Sequence, residues 1–148
     1  MIITVFEDRL SDLLFPLNIN RASFELRCGA FTNLERIANI ITSDDSIHLV
    51  VRNELIPLIK ERYPNYQVNP ELLSPGIWLN GCGLWSEECL KKISSGKAYT
   101  NNGKVMAIHN QKNVLINDIH TFMDNEALVS TEIEIQLIKN VWDGIFLQ

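Results

Sequence analysis

Three short apolar runs constrain the fold of this chain more than any other feature. IITVF at 2–6, IHLVV at 47–51 and IWL at 77–79 are nearly continuous rather than alternating, and the first two are rich in β-branched residues. Such runs suit strands covered on both faces, the condition of a parallel sheet. Between them lie stretches with helical spacing. Phe31, Leu34, Ile37, Ala38 and Ile41 form one apolar stripe, and Thr32 with Glu35 has the form of a capping box at its start. NELIPLIKERYP follows the second run, with Asn53 as candidate cap, Pro57 tolerable only near the first turn, and Tyr63-Pro64 as the stop. Strand, loop, helix, strand, helix predicts an α/β fold: a three-layer, mostly parallel sheet with right-handed crossovers.

The same unit repeats further on. Ile77 to Leu79 leads into NGCGLW, and SEECLKKI begins with a serine cap and acids in its first turn. KAYTNNGKVMAIH predicts a hairpin turning at Asn101, Asn102 and Gly103, placed at a sheet edge. Thr131 to Ile135 alternates like a half-buried strand. QLIKNVWDGIFL then sets Leu137, Ile138, Val141, Trp142 and Ile145 on one apolar face, which predicts a closing helix. Neither a linker nor a repeat divides the 148 residues, so one domain over 1–148 is expected.

Charge and cysteine usage narrow the function classes. Thirteen Lys+Arg against eighteen Asp+Glu give a net charge of −5, which argues against broad binding to nucleic-acid phosphates. Cys28, Cys82 and Cys89 fit neither paired zinc ligands nor a dense disulfide framework, so reduced thiols and a cytoplasmic location are expected. The chain has no apolar span of roughly 18 residues and no leader pattern, so no membrane partner is expected.

One stretch is too polar to be core. LLFPLNINRASFELRCG, residues 13–29, follows the first strand, where open α/β sheets place ligands beyond the carboxyl ends of their strands. Arg21 and Arg27 could each fork two hydrogen bonds onto a phosphate or carboxylate. The competing reading pairs one of them with Glu7, Asp8 or Glu25. Gly29, just ahead of the Thr32 cap, either brings backbone N–H groups to an anion at the helix start or is a plain turn glycine. Asn80, Gly81 and Gly83 form a second loop at the same expected edge, as a close approach to ligand or as a tight turn.

Other candidates are weaker. His48 lies inside a strand and reads as a core histidine, and His109 and His120 have no partner at metal or catalytic spacing. Asp143, beside Trp142, serves either metal binding or helix solubility. The chain contains no nucleophile elbow, P-loop or GxGxxG. Receiver domains also place adjacent acids after strand one, as Glu7 and Asp8 stand here. They further need a phospho-accepting aspartate after a later strand, where this chain has Arg52, Asn53 and Asn80.

FED near residue 7, LLFPLNINRASFELRCG, IWLNG and VWD near residue 142 together resemble the N-terminal domain of a bacterial sugar nucleotidyltransferase-like family. That family is similar to the uridylyltransferase half of bifunctional N-acetylglucosamine-1-phosphate uridylyltransferase/glucosamine-1-phosphate acetyltransferase. Its loop reads P-L-T-x-x-R-P and then E-x-R-x-G, which matches Pro16, Leu17, Arg21, Glu25, Arg27 and Gly29. Asn18 stands in place of the threonine and Ala22 in place of the second proline. The resemblance implies a nucleotide-diphospho-sugar transferase fold and the joining of a sugar 1-phosphate to a nucleoside triphosphate with release of pyrophosphate. It implies Arg21 and Arg27 as catalytic cations, and Pro16, Asn18, Asn20, Gly29, Asn80 and Gly81 as the substrate-binding set. It further implies Mg²⁺ held by Asp8 and Asp143, with Glu7 as a possible substitute. Partners would be nucleotides and sugar phosphates, with an acyltransferase domain of left-handed β-helix type, or a second copy, as protein partner. The chain lacks the G-x-G-T-R signature and the aspartate after a central strand. A second reading, a non-catalytic module that binds a nucleotide sugar or mediates assembly, follows from those two departures.

Overall fold

In the computed structural model of the chain, residues 1–7 and 19–137 are described. The predicted strands are β1 (Ile2–Phe6), β4 (Ser46–Val50) and β7 (Gly76–Asn80), and they lie side by side in parallel, with β1 in the middle. A small hairpin, β2 (Arg27–Cys28) and β3 (Phe31–Thr32), precedes α1 (Asn33–Ile40), and α2 (Ile56–Arg62) leads to the short β5 (Gln67–Val68) beside β4. After β6 (Leu72–Leu73) and β7 come α3 (Glu87–Lys91) and the antiparallel pair β8 (Ala98–Asn101) and β9 (Lys104–Asn110). β10 (Val114–Leu115) pairs with β6, and α4 (Ile119–Ala127) returns the chain to β11 (Thr131–Glu132). The described residues thus build a mixed α/β fold around a mostly parallel seven-stranded sheet, ordered β11-β8-β9-β7-β1-β4-β5.

Strand periodicity explains the near-continuous apolar runs. Ile3, Val5, Ile47, Leu49 and Leu79 face one side and pack with Leu34 and Ile37 of α1 and Ile59 of α2. Phe6, Val50 and Trp78 face the other side and pack with Ile119 and Met123 of α4. Trp78 also meets the Phe122 ring at 5.3 Å between centroids. Both faces are covered, and three layers result.

Local signals match where they rest on capping or turn chemistry. Thr32 Oγ1 accepts from the Glu35 N–H at 3.1 Å, and Glu35 accepts from the Thr32 N–H at 2.7 Å, which closes the predicted box. Ser86 accepts from the Cys89 N–H at 3.2 Å. Asn102 and Gly103, at φ 51 and 80, turn β8 into β9 as a tight hairpin requires. Pro57 sits at the start of α2, where its missing N–H removes no helical bond.

Four expectations differ. The β8–β9 hairpin is interior to the sheet, because β11 adds outside β8 as the edge. Asn53 makes no side-chain cap and instead opens a 3-10 turn, Asn53–Leu55, that runs into α2. The strand expected over 131–135 is only Thr131–Glu132. Gln136 and Leu137 do not begin a helix: the Gln136 carbonyl accepts from the Leu84 N–H at 2.9 Å and Leu137 bridges Gly83, so tertiary backbone pairing overrides the helical pattern. The remainder of that expected helix, with Trp142 and Asp143, lies outside the described residues, as do residues 8–18, which include the 13–18 part of the polar loop.

Candidate functional site

The chains leaving β1, β4 and β7 emerge at one edge of the sheet, and the ladder extends one residue past the strands. Glu7 N–H donates to Val50 O and Gly81 N–H donates to Phe6 O, each at 2.9 Å. Over this edge sits the 3-10 turn Ser23–Glu25, whose Phe24 is fully buried in the core of the first face. A Cβ added to Gly81 would lie 2.9 Å from Phe24 Cβ and 3.1 Å from Ser23 Oγ. The two loops predicted to share an edge therefore touch, and glycine is what lets them. Asn33, at the start of α1, donates through Nδ2 to Gly81 O at 2.7 Å and ties a third element to the junction. Ser23 Oγ and Asn33 Oδ1 are buried there with no hydrogen-bond partner among the described residues.

Asn80 is fully buried at the end of β7. Its Nδ2 donates to Val105 O at 3.0 Å, its Oδ1 accepts from the Cys82 N–H at 2.9 Å, and its carbonyl accepts from Trp85 Nε1 at 2.9 Å. Each of these bonds fixes the 80–85 loop against β9 or against itself. The amide thus holds the loop's shape.

Two buried carboxylates stand at this edge. Glu7 Oε2 accepts from the Arg52 N–H at 3.1 Å, and Oε1 pairs with the Arg52 guanidinium. Burial pushes the Glu7 carboxyl above the ordinary range, and the hydrogen bond and charge of Arg52 only partly offset it. Glu25 accepts from the Ala22 N–H at 2.9 Å, from Arg62 Nη1 at 2.8 and 2.9 Å, and from the Tyr63 hydroxyl at 3.2 Å. Burial and the Glu25 carboxylate push the Tyr63 phenol up, so it stays a donor.

The expected site residues sit around this frame. Asn20 and Arg21 are exposed just ahead of the anchored turn. Arg27 is exposed, donates to Ala30 O at 2.6 Å and stands 3.8 Å from Glu35. Gly29, at φ 73, is the first turn residue between β2 and β3. At the start of α1 the capping box already engages the Thr32 and Glu35 N–H groups. Neither Glu7 nor Glu25 pairs with Arg21 or Arg27, because Arg52 and Arg62 occupy them. Asp8, Pro16, Asn18 and Asp143 lie outside the described residues.

The sequence profile of the sugar nucleotidyl transferase family matches residues 3–148. The chain belongs to that family. No curated protein matches it. In this family member the residues that organise the described edge include several that motif reading passed over: Arg52, Arg62, Asn33 and Ser23. Arg52 had a signal, since it directly follows a buried-type strand at the loop-bearing end. Arg62 and Asn33 had none, because their partners are 37 and 48 residues away in sequence.

Among the described residues no group of three potential metal ligands converges. Glu7 is engaged by Arg52, and Asn80 by backbone groups, so the described side chains do not fit a resident divalent ion. His48, in β4, is buried, and burial holds its imidazole below the ordinary range. Cys28, Cys82 and Cys89 form no disulfide among the described residues. No helix among the described residues is long and apolar enough to cross a membrane.

Proposed function

We propose that this family member binds a nucleoside triphosphate and a sugar 1-phosphate over the β1–β7 edge and joins them. A phosphate oxygen of the sugar attacks the α-phosphorus, the bond to the β-phosphate bridging oxygen breaks, and pyrophosphate leaves with the electron pair. The observation that carries this reading is the junction at Gly81, where the loops after β1 and β7 meet in a chain of this family. Such transfer depends on positioning and charge neutralisation more than on covalent help. Arg21 is the cation best presented for it: its side chain is exposed while the turn that follows is anchored. Arg27, Asn20 and Gly29 complete the proposed loop set, with Asn80 and Gly81 beneath. Mg²⁺ enters this reading only through Asp8 and Asp143. Cysteines outside any disulfide and a nucleotide donor favour a cytoplasmic location.

A non-catalytic binding or assembly module is the second reading, favoured by Asn80, a neutral amide fully committed to loop shape at the end of a central strand. Its partner would be an acyltransferase domain or a second copy. A thermal-shift panel of nucleoside triphosphates and sugar 1-phosphates, with and without Mg²⁺, combined with a pyrophosphate-release assay, separates the two. Stabilisation with turnover supports the transferase; stabilisation without pyrophosphate leaves the binding module; no stabilisation removes both. Arg21→Ala removes one charge-assisted pair and should weaken binding by about 1.5 to 3 kcal/mol without lowering the melting temperature. Unchanged affinity excludes Arg21 from the site.

A further inference from the structure

We propose that a cavity at the amino end of β4 is a second ligand site, taking an uncharged, hydroxyl-rich ring of the kind a sugar presents without its phosphate. This stands apart from the transferase reading. The cavity holds about 480 Å³, inside the roughly 300 to 1,000 Å³ usual for small-molecule sites. It is lined by Ala38 and Ile41 from the end of α1, Ile47 from β4, and Asn65, Tyr66 and Gln67 where the chain enters β5. β4 runs five residues, about 13 Å, from this end to its carboxyl end, so the cavity and the β1–β7 junction occupy opposite ends of the sheet.

The sheet leaves a donor open at this point. Ser46 N–H donates to Met1 O and Val50 O accepts from Glu7 N–H, both on the β1 side of β4, whereas Leu49 O accepts from the Asn69 N–H at 2.8 Å on the other side. Backbone groups alternate along a strand, so Ile47 shares the outward direction of Leu49. The ladder to β5 begins only at the His48–Gln67 pair, and no backbone carbonyl among the described residues accepts from the Ile47 N–H. Ile47 is 6% exposed and lines the cavity, so this N–H opens onto it. Buried amides without a partner are rare, and a ligand oxygen supplies one here.

The rest of the wall selects the ligand's chemistry. Asn65 and Gln67 are exposed at the rim, and their side-chain amides make no hydrogen bond among the described residues. Each offers both a donor and an acceptor. The Tyr66 ring is stacked on Tyr63 at 5.9 Å and 11°, which holds it as a flat apolar wall beside Ala38 and Ile41. No lysine or arginine lines the cavity, and its carboxylate, Asp45, already accepts from the Thr42 N–H at 3.0 Å and stands 3.3 Å from the Met1 amino group. A phosphate would lack the charged donors that bind it strongly. Hydroxyls on one edge of a ring and C–H groups on its face match amides and an aromatic wall.

Glucose, galactose, mannose and N-acetylglucosamine, each beside its 1-phosphate, and inorganic phosphate alone are titrated into the full chain and followed by amide NMR. At least one uncharged sugar should shift the Ile47, Asn65, Tyr66 and Gln67 amides saturably, and should do so more tightly than its 1-phosphate. The double variant Asn65→Ala/Gln67→Ala removes two neutral hydrogen-bonding groups from exposed positions, and should weaken that binding about tenfold at an unchanged melting temperature. If the double variant melts lower, the wild-type titrations carry the test alone. Three results overturn the proposal: no uncharged sugar moves these amides, a 1-phosphate or inorganic phosphate moves them more tightly than any uncharged sugar, or a stably folded double variant binds as wild type does. The transferase reading survives each of them, because its ligands and its pyrophosphate release are measured at the other end of the sheet.

Discussion

Gly81→Ala is the sharpest probe of the junction between the two loops. The added methyl would stand 2.9 Å from Phe24 Cβ, 3.1 Å from Ser23 Oγ and 3.2 Å from Phe24 Cδ1. Phe24 Cβ is the root of a fully buried side chain on an anchored turn, so no rotamer change relieves the contact. The loops must part by a few tenths of an ångström. Overpacking of this kind costs about 1 to 3 kcal/mol. Stretching the Asn33 to Gly81 bond, 2.7 Å at present, adds about 1 kcal/mol. Against this, alanine stiffens the unfolded chain and returns about 0.4 to 1 kcal/mol. The net expectation is a loss of about 2 kcal/mol, or roughly 4 to 8 °C in melting temperature for a chain of this size. Urea unfolding followed by fluorescence of the buried Trp78 and Trp85 reads it directly. A lower midpoint at unchanged slope is expected. A loss below about 0.5 kcal/mol would refute the reasoning, because it would mean that the loops have slack and that no rigid junction exists.

Other perturbations test separate parts of the frame. Arg62→Ala leaves the Glu25 carboxylate with only the Ala22 amide and Tyr63 hydroxyl, and should destabilise by about 2 kcal/mol in urea, discounted from a fully buried pair because Arg62 is a third exposed. Thr32→Ala removes the acceptor for the Glu35 N–H and should cost about 1 kcal/mol, read by circular dichroism across a urea series. His48 binds its proton more weakly folded than its ordinary 6.5, so the folded state takes up fewer protons than the unfolded one. Its contribution to stability is present above about pH 6.5 and is lost as pH falls toward the folded value; His48→Leu should flatten that part of the stability–pH curve relative to wild type.

How much of this was legible depends on the range of the forces involved. Periodicity identified β1, β4 and β7, because a strand buried on both faces must be apolar on both, whatever its neighbours are. Capping at Thr32 and Ser86 was legible because donor and acceptor are three residues apart. The closing helix was misread at Gln136 and Leu137, where an apolar stripe gave the right periodicity but Gly83 and Leu84 supplied extended backbone partners. The positive φ of Gly29 follows from the hairpin pairing of Arg27 with Thr32 around it.

The candidate site divides along the same line. Sequence order alone put the loops after β1 and β7 at one edge, since parallel strands all point their carboxyl ends the same way. It also made Arg21 visible as an unexplained cation in a polar loop. Only the tertiary structure decided which acids and bases meet. Glu7 found Arg52 and Glu25 found Arg62, each over more than 35 residues of intervening chain, through contacts that no local pattern encodes. Local chemistry writes strands, caps and turns into the sequence; the pairing of buried charges is set by the packing that brings distant segments together.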